Sequence, residues 1–133
     1  MNDAEADALL MGLVKAYSPS THEAEAVRYL VDRMDQLGFA AQIDGAGNAV
    51  GEAGTGEPTL LLLGHIDTVP GKLPVRREGD ILHGRGTVDA KGPLATFVAA
   101  TARARDDLDH RVVVIGAVEE EATTSKGSRY VLD

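Results

Sequence analysis

Apolar positions along the chain switch between two periods. From Asp3 to Ala16 they recur at Ala6, Leu9, Leu10, Leu13 and Val14, the spacing of a helix with one buried stripe. Pro19 interrupts this run, and Ser20 or Thr21 is placed to cap a second helix with Glu23 near its first turn. Ala26, Val27, Leu30, Val31, Met34 and Leu37 form the buried face of that helix, and Gly38 closes it. The period then shortens. Phe39–Ile43 and Ala49–Glu52 read as strands around the turn Asp44-Gly45-Ala46-Gly47-Asn48. After the loop Gly54–Pro58 comes the continuous apolar run Thr59-Leu60-Leu61-Leu62-Leu63, which predicts a buried strand. Residues 71–88 are turn-rich and predict a short hairpin near Arg76–Leu82. A third helix is expected from Lys91 or Gly92 to Arg105, with Leu94, Ala95, Phe97, Val98 and Thr101 on its apolar face. A polar loop with Asp106, Asp107 and His110 leads to Val112-Val113-Val114-Ile115, a second buried strand, and Ser125–Asp133 opens another helix. This order predicts an α/β fold in which helices pack on a mixed, mostly parallel sheet, with no internal repeat or linker.

In such sheets ligands gather beyond the carboxyl ends of the strands. Three polar groups fall there. His65 and Asp67 follow the first apolar run, Asp89 follows a Gly-rich turn at the head of the third helix, and Glu119-Glu120-Glu121 follow the second run. Strand alternation points His65 and Asp67 the same way, which suits a metal ligand and the carboxylate that orients it. Imidazole and carboxylates are the usual non-thiolate ligands of catalytic zinc, and a carboxylate can bridge two ions. His65 and Asp89 are therefore assigned as ligands, with Asp89 as the bridge. One glutamate of the triplet would bind metal while its neighbour serves as general base. Singly, each feature has a plainer reading: an isolated His-x-Asp, a helix N-cap, a solvated acidic run. Together they favour the metal reading, because acids gathered at the ends of buried strands need a partner for their charge.

Composition narrows the alternatives. Of 133 residues, 44% are apolar, enough for one domain with its own core. The formal charge of -8 and the scarcity of aromatics, 4% with no Trp, argue against a phosphate backbone or a base-stacking surface. With no cysteine there is no disulfide and no thiolate site, which fits a cytoplasmic setting. Met1–Glu5 has no basic run of the kind that opens a signal peptide, and no apolar stretch reaches the length of a membrane span. His22, His83 and His110 read as surface or structural residues. Gly45-x-Gly47-x-x-x-Gly51 has the wrong spacing and context for a dinucleotide fingerprint, no Walker lysine motif is present, and Ser18, Ser20 and Ser125 lack a nucleophile-elbow context.

Three segments resemble, in order, the successive signatures of the M20 family of zinc-dependent peptidases and deacylases: Gly64-His65-Ile66-Asp67-Thr68-Val69-Pro70, Gly84-Arg85-Gly86-Thr87-Val88-Asp89-Ala90-Lys91-Gly92, and Val118-Glu119-Glu120-Glu121. The opening Tyr17-Ser18-Pro19-Ser20-Thr21-His22-Glu23 is similar to the family's early helix cap. The resemblance implies a three-layer αβα zinc-exopeptidase-like catalytic domain with two zinc ions per full-length subunit, cobalt being a possible substitute. It implies that His65 ligates one zinc, that Asp67 clamps the His65 ring, that the Asp89 carboxylate bridges the pair, and that the Asp89–Ala90 bond is cis. It makes Glu120 the general base and Glu121 the ligand of the other zinc, with Glu119 where the family usually has Asp. A one-residue slip would make Glu119 the base and Glu120 the ligand; the first register is preferred.

Family members take a further acidic ligand, a late histidine and a lid domain used in dimerisation from segments outside this chain. Residues 1–133 are thus expected to be the N-terminal part of a metallohydrolase catalytic domain, inactive alone, from a homodimeric protein. The segments 18–23 and 116–127 look most like the hydrolases that release lysine or ornithine from an N-acyl group or an acidic amino-group carrier protein, in lysine or arginine biosynthesis. Another family activity (acetylornithine deacetylase, succinyl-diaminopimelate desuccinylase or dipeptidase) and an inactive metal-binding fragment are the alternatives.

Overall fold

The computed structural model describes residues 1–133. Helix α1 (Asp3–Lys15) begins at a capping box: Glu5 N donates to Asn2 Oδ1 at 2.9 Å, and Asn2 N donates to Glu5 Oε2 at 2.7 Å. Helix α2 (Ala24–Gln36) buries Ala26, Val27, Leu30 and Met34, and Gly38 follows its end at φ 87°. Its start departs from expectation. Glu23 holds the N-cap position without a side-chain capping bond, and neither Ser20 nor Thr21 caps the helix. The cause is a short backbone pairing: Thr68 N donates to Ser18 O at 2.9 Å and Ser20 N to Thr68 O at 3.2 Å. That pairing places the Ser20 hydroxyl beside Asp67 instead.

Strands β1 (Ala40–Ile43), β2 (Ala49–Ala53), β3 (Thr59–His65) and β6 (Arg111–Ala117) form one sheet in the order β1-β2-β6-β3, while β4 (Arg76–Glu78) and β5 (Ile81–His83) form the separate hairpin. The class is the mixed α/β one expected. Parallel pairing within it is confined to β3 and β6, whose crossover contains helix α3 (Lys91–Ala104); β1–β2 and β2–β6 are antiparallel. Helix α4 (Lys126–Leu132) follows the acidic segment. No helix is long and apolar enough to cross a membrane.

A second expectation fails. β3 is not a buried strand: it lies at the sheet edge, with Leu60 45% and Leu61 40% exposed. Its leucines match the composition of a central strand, yet one edge has no strand partner. β6, by contrast, is buried along most of its length, as its valine run predicts.

Helix α2 packs on β1 and β2, α3 packs on β3 and β6, and α1 lies against both helices. Gly64 and Gly116 face each other in the β3–β6 register and leave the hollow into which the helices settle. A Cβ on Gly116 would lie 3.1 Å from both Leu30 Cδ2 and Leu94 Cδ2. Leu30 and Leu94 therefore meet on the same face of the sheet, where Leu9, Leu13, Met34, Val98 and Val114 complete the core. The chain thus carries the sheet and one helical layer of the three-layer arrangement expected. Leu94→Ala should destabilise the protein by about 2–5 kcal/mol in denaturant unfolding, because the fully buried side chain spans α3 and both parallel strands. A cost well under 1 kcal/mol would contradict that packing.

Candidate metal centre

Because β3 and β6 are parallel neighbours, their carboxyl ends leave the sheet together. His65 is in register with Ala117, and Ile66 N donates to Ala117 O at 2.8 Å, so segments 66–70 and 118–121 start side by side. Asp89 arrives from the turn before α3. That turn needs glycine at Gly86, which has φ 87° and whose added Cβ would lie 2.8 Å from Thr68 Cγ2. The Asp89–Ala90 peptide is cis, as the resemblance implies, and Ala90, not Asp89, occupies the N-cap of α3.

These approaches bring the predicted residues together. His65 Nε2 lies 2.9 Å from Asp89 Oδ1 and 3.6 Å from Glu120 Oε2. One ligand atom from each of His65, Asp89 and Glu121 falls within 4.8 Å of the others. The other face of the ring belongs to Asp67: Nδ1 is 2.9 Å from its backbone oxygen and 3.5 Å from its carboxylate Oδ1. With a proton on Nδ1 directed at Asp67, loss of the second proton leaves the Nε2 lone pair aimed at the acids. The bond with the Asp67 side chain is the main reason the imidazole is held up at about 9, with help from the Asp67 carbonyl, Glu120 and Asp89 and against the pull of burial. Burial pushes the Asp67 carboxyl upward. Bonds from His65, Ser20 and the backbone N–H groups of Glu121 and Glu120 outweigh it and bring the group down to about 2. Glu121 is raised, first by desolvation and then by its neighbours Asp89 and Glu120.

Four carboxylates, Asp67, Asp89, Glu120 and Glu121, thus surround a single imidazole. One nitrogen and several carboxylate oxygens converging on one point suit a divalent cation of the zinc type, and the surplus negative charge favours its entry. The residues present fit such an ion.

The three glutamates diverge. Glu121 joins His65 and Asp89, Glu120 lies beside the ring, and Glu119, at φ 56°, turns its carboxylate to the Thr124 hydroxyl. Their backbone is held from elsewhere. Glu120 N and Glu121 N donate to Asp67 Oδ1 and Oδ2 at 3.0 Å each, Glu119 N donates to Glu23 Oε1 at 3.0 Å, and Val118 N to Asn48 Oδ1 at 3.0 Å. Sequence reasoning missed this second use of Asp67 and passed over Glu23 and Asn48. An acid in a helix's first turn and an asparagine in a turn have local explanations, and nothing in the spacing signals a partner about 70 or more residues away. Outside the cluster, His22 contacts Thr21, His83 contacts Glu78, and His110 contacts Asp109.

The Peptidase family M20/M25/M40 model matches residues 61–133. A "LysW-lysine hydrolase" of Deinococcus radiodurans is 50% identical over 127 residues, covering 93% of this chain and 35% of that protein. A "LysW-lysine/LysW-ornithine hydrolase" of Saccharolobus islandicus is 33% identical over 120 residues, covering 90% of this chain and 34% of that protein. The chain spans about a third of the length of these relatives. Among solved structures, human carnosine dipeptidase 1 superposes with a TM-score of 0.74 at 22% identity, covering 97% of this chain and 35% of that one. An M20 family metallo-carboxypeptidase of Sulfolobus solfataricus gives 0.72 at 24% identity, covering 91% and 32%. At these identities the superpositions speak for the fold.

The raised ionisation of His65 sets a pH dependence for the metal-free protein. Folding favours the imidazolium, so its contribution to stability is fully present below the unfolded value of 6.5 and is lost as pH rises through about 9. Asp67→Asn removes the main cause. An NMR titration of His65 in that variant should give a clearly lower midpoint, with the alkaline loss of stability moved to lower pH. An unmoved midpoint would refute the assigned cause.

Proposed function

Since the chain belongs to the M20/M25/M40 peptidase family, we propose that it is the N-terminal part of a metal-dependent amide hydrolase that releases lysine or ornithine from an amino-group carrier protein or a related N-acyl group, in lysine or arginine biosynthesis. The observation that carries the hydrolytic reading is the convergence of His65, Asp89 and Glu121 with the Glu120 carboxylate alongside. The substrate reading is supported by the names of the relatives, at up to 50% identity. The acidic, cysteine-free composition supports a cytoplasmic setting.

His65, Asp89 and Glu121 would hold two divalent ions, zinc with cobalt as a substitute, and Asp89 would be shared between them. When bound, such ions polarise an amide carbonyl and lower the pKa of water to about 7. Asp67 keeps the Nδ1 proton on His65 and so presents Nε2 as the donor atom. Glu120 takes a proton from the attacking water as the carbon–oxygen bond forms, then delivers it to the leaving nitrogen as the carbon–nitrogen bond breaks. The products are a carboxylate on the carrier or acyl group and a free amine on the amino acid.

A further acidic ligand, a late histidine and the lid domain that supports a homodimer are proposed to lie outside these 133 residues, in keeping with the chain's one-third share of its relatives' length. The chain alone should therefore not turn over substrate. In the full-length protein, Glu120→Ala should lower kcat by about 10²–10⁴-fold with the metal content unchanged, whereas His65→Ala should lose metal. Both are checked by turnover and elemental analysis. Undiminished hydrolysis in Glu120→Ala would remove the base assignment. A substrate panel in which acetylornithine, succinyl-diaminopimelate or dipeptides are hydrolysed while lysine and ornithine conjugates of the carrier are not would overturn the substrate reading.

A further inference from the structure

Four successive amides, from Val118 to Glu121, all end on side-chain oxygens of residues at least 53 positions away: Asn48, Glu23 and, twice, Asp67. All three acceptor residues are buried, with Asn48 and Asp67 fully so and Glu23 6% exposed. Glu23 Oε1 also accepts from Thr21 N at 2.8 Å, so one oxygen ties the 19–23 turn to the acidic loop. Ser20 Oγ donates to Asp67 Oδ2 at 2.6 Å, the oxygen that also receives Glu121 N.

A neutral acceptor is enough to hold a backbone N–H, as Asn48 does for Val118. Placing the Glu23 and Asp67 carboxylates behind a loop already rich in acids adds like-charge repulsion and desolvation. At the same 3.0 Å separation, a charged acceptor holds an N–H more strongly than a neutral one. The two carboxylates fix the backbone at 119–121, and with it the direction in which the Glu120 and Glu121 side chains leave.

We propose that Glu23, with Ser20 acting through Asp67, is a positioning residue that sets Glu120 and Glu121 against His65 and Asp89. The inference rests on the proposed metal-dependent function of that site. In the full-length protein, Glu23→Ala should weaken Co²⁺ binding by about 10–100-fold. It should also alter the visible absorption of the Co²⁺-saturated protein and lower kcat with KM near the wild-type value. Glu23→Gln, which retains an oxygen acceptor but not its charge, should recover part of the loss. Ser20→Ala should change the spectrum and kcat in the same direction by a smaller amount.

A folded Glu23→Ala with wild-type spectrum and kcat, and only a lower melting temperature in chelator, would overturn the inference. Should Glu23→Ala fail to fold, Ser20→Ala decides, and wild-type spectrum and kcat in that variant overturn it equally. If the wild-type protein binds Co²⁺ and turns over but neither variant departs from it, this inference alone falls. If the wild type binds no Co²⁺, the proposed function falls with it.

Discussion

The site depends on one buried carboxylate. Asp67 has no exposed surface, and a charge in that position costs on the order of several kcal/mol unless donors surround it. It receives the Ser20 hydroxyl and the amides of Glu120 and Glu121, and it faces the His65 ring. Those donors come from the N-terminal turn, from the end of β3 and from the segment after β6. One desolvated group therefore ties together three parts of the chain that share no local sequence. If any one of them moves, the carboxylate loses a donor it cannot replace with water. The cost of burying it becomes a penalty against every misaligned arrangement of the rim.

That constraint works only because the sheet delivers the pieces at the right height. His65 and Ala117 are register partners in the sheet's single parallel strand pair, so the histidine and the glutamates leave at the same level. A slip of one residue in β6 would turn its buried face outward and carry Glu120 and Glu121 out of reach of Asp67. Gly64 and Gly116, paired in the same ladder, let α3 approach closely enough for Leu94 to contact the sheet. The head of α3 then holds Asp89 over the strand ends. Core packing and site geometry are thus set by the same pair of strands.

This explains what could be read from the sequence. Helix periods, the valine run of β6 and the hairpin near residue 80 follow from local pattern, and they appear with nearly the expected limits. The three site motifs stand out because each puts its chemistry in a short segment after a strand or turn. Position within the sheet was not legible: four successive leucines, Leu60–Leu63, look alike whether the strand is central or at the edge, and here it is the edge. Ser20 and Glu23 were also misread. A hydroxyl and an acid before a helix satisfy a capping pattern, and that local explanation hid their true partners, Asp67 and Glu119. Non-local hydrogen bonds of this kind leave no periodic trace.

The same geometry explains how a cluster of acids stays together in the metal-free chain. Asp89, Glu120 and Glu121 repel one another, and the raised Glu121 registers that repulsion after its desolvation. The imidazolium of His65 is their counter-charge, with Nε2 2.9 Å from Asp89. A divalent ion at this place must displace that proton, exchanging one positive charge for two and releasing the proton to solvent. The bonds that fix the loop are not part of the exchange, because the Asp67 and Glu23 oxygens hold backbone N–H groups, which do not titrate. Loss of the His65 proton therefore removes none of the donors that hold residues 119–121.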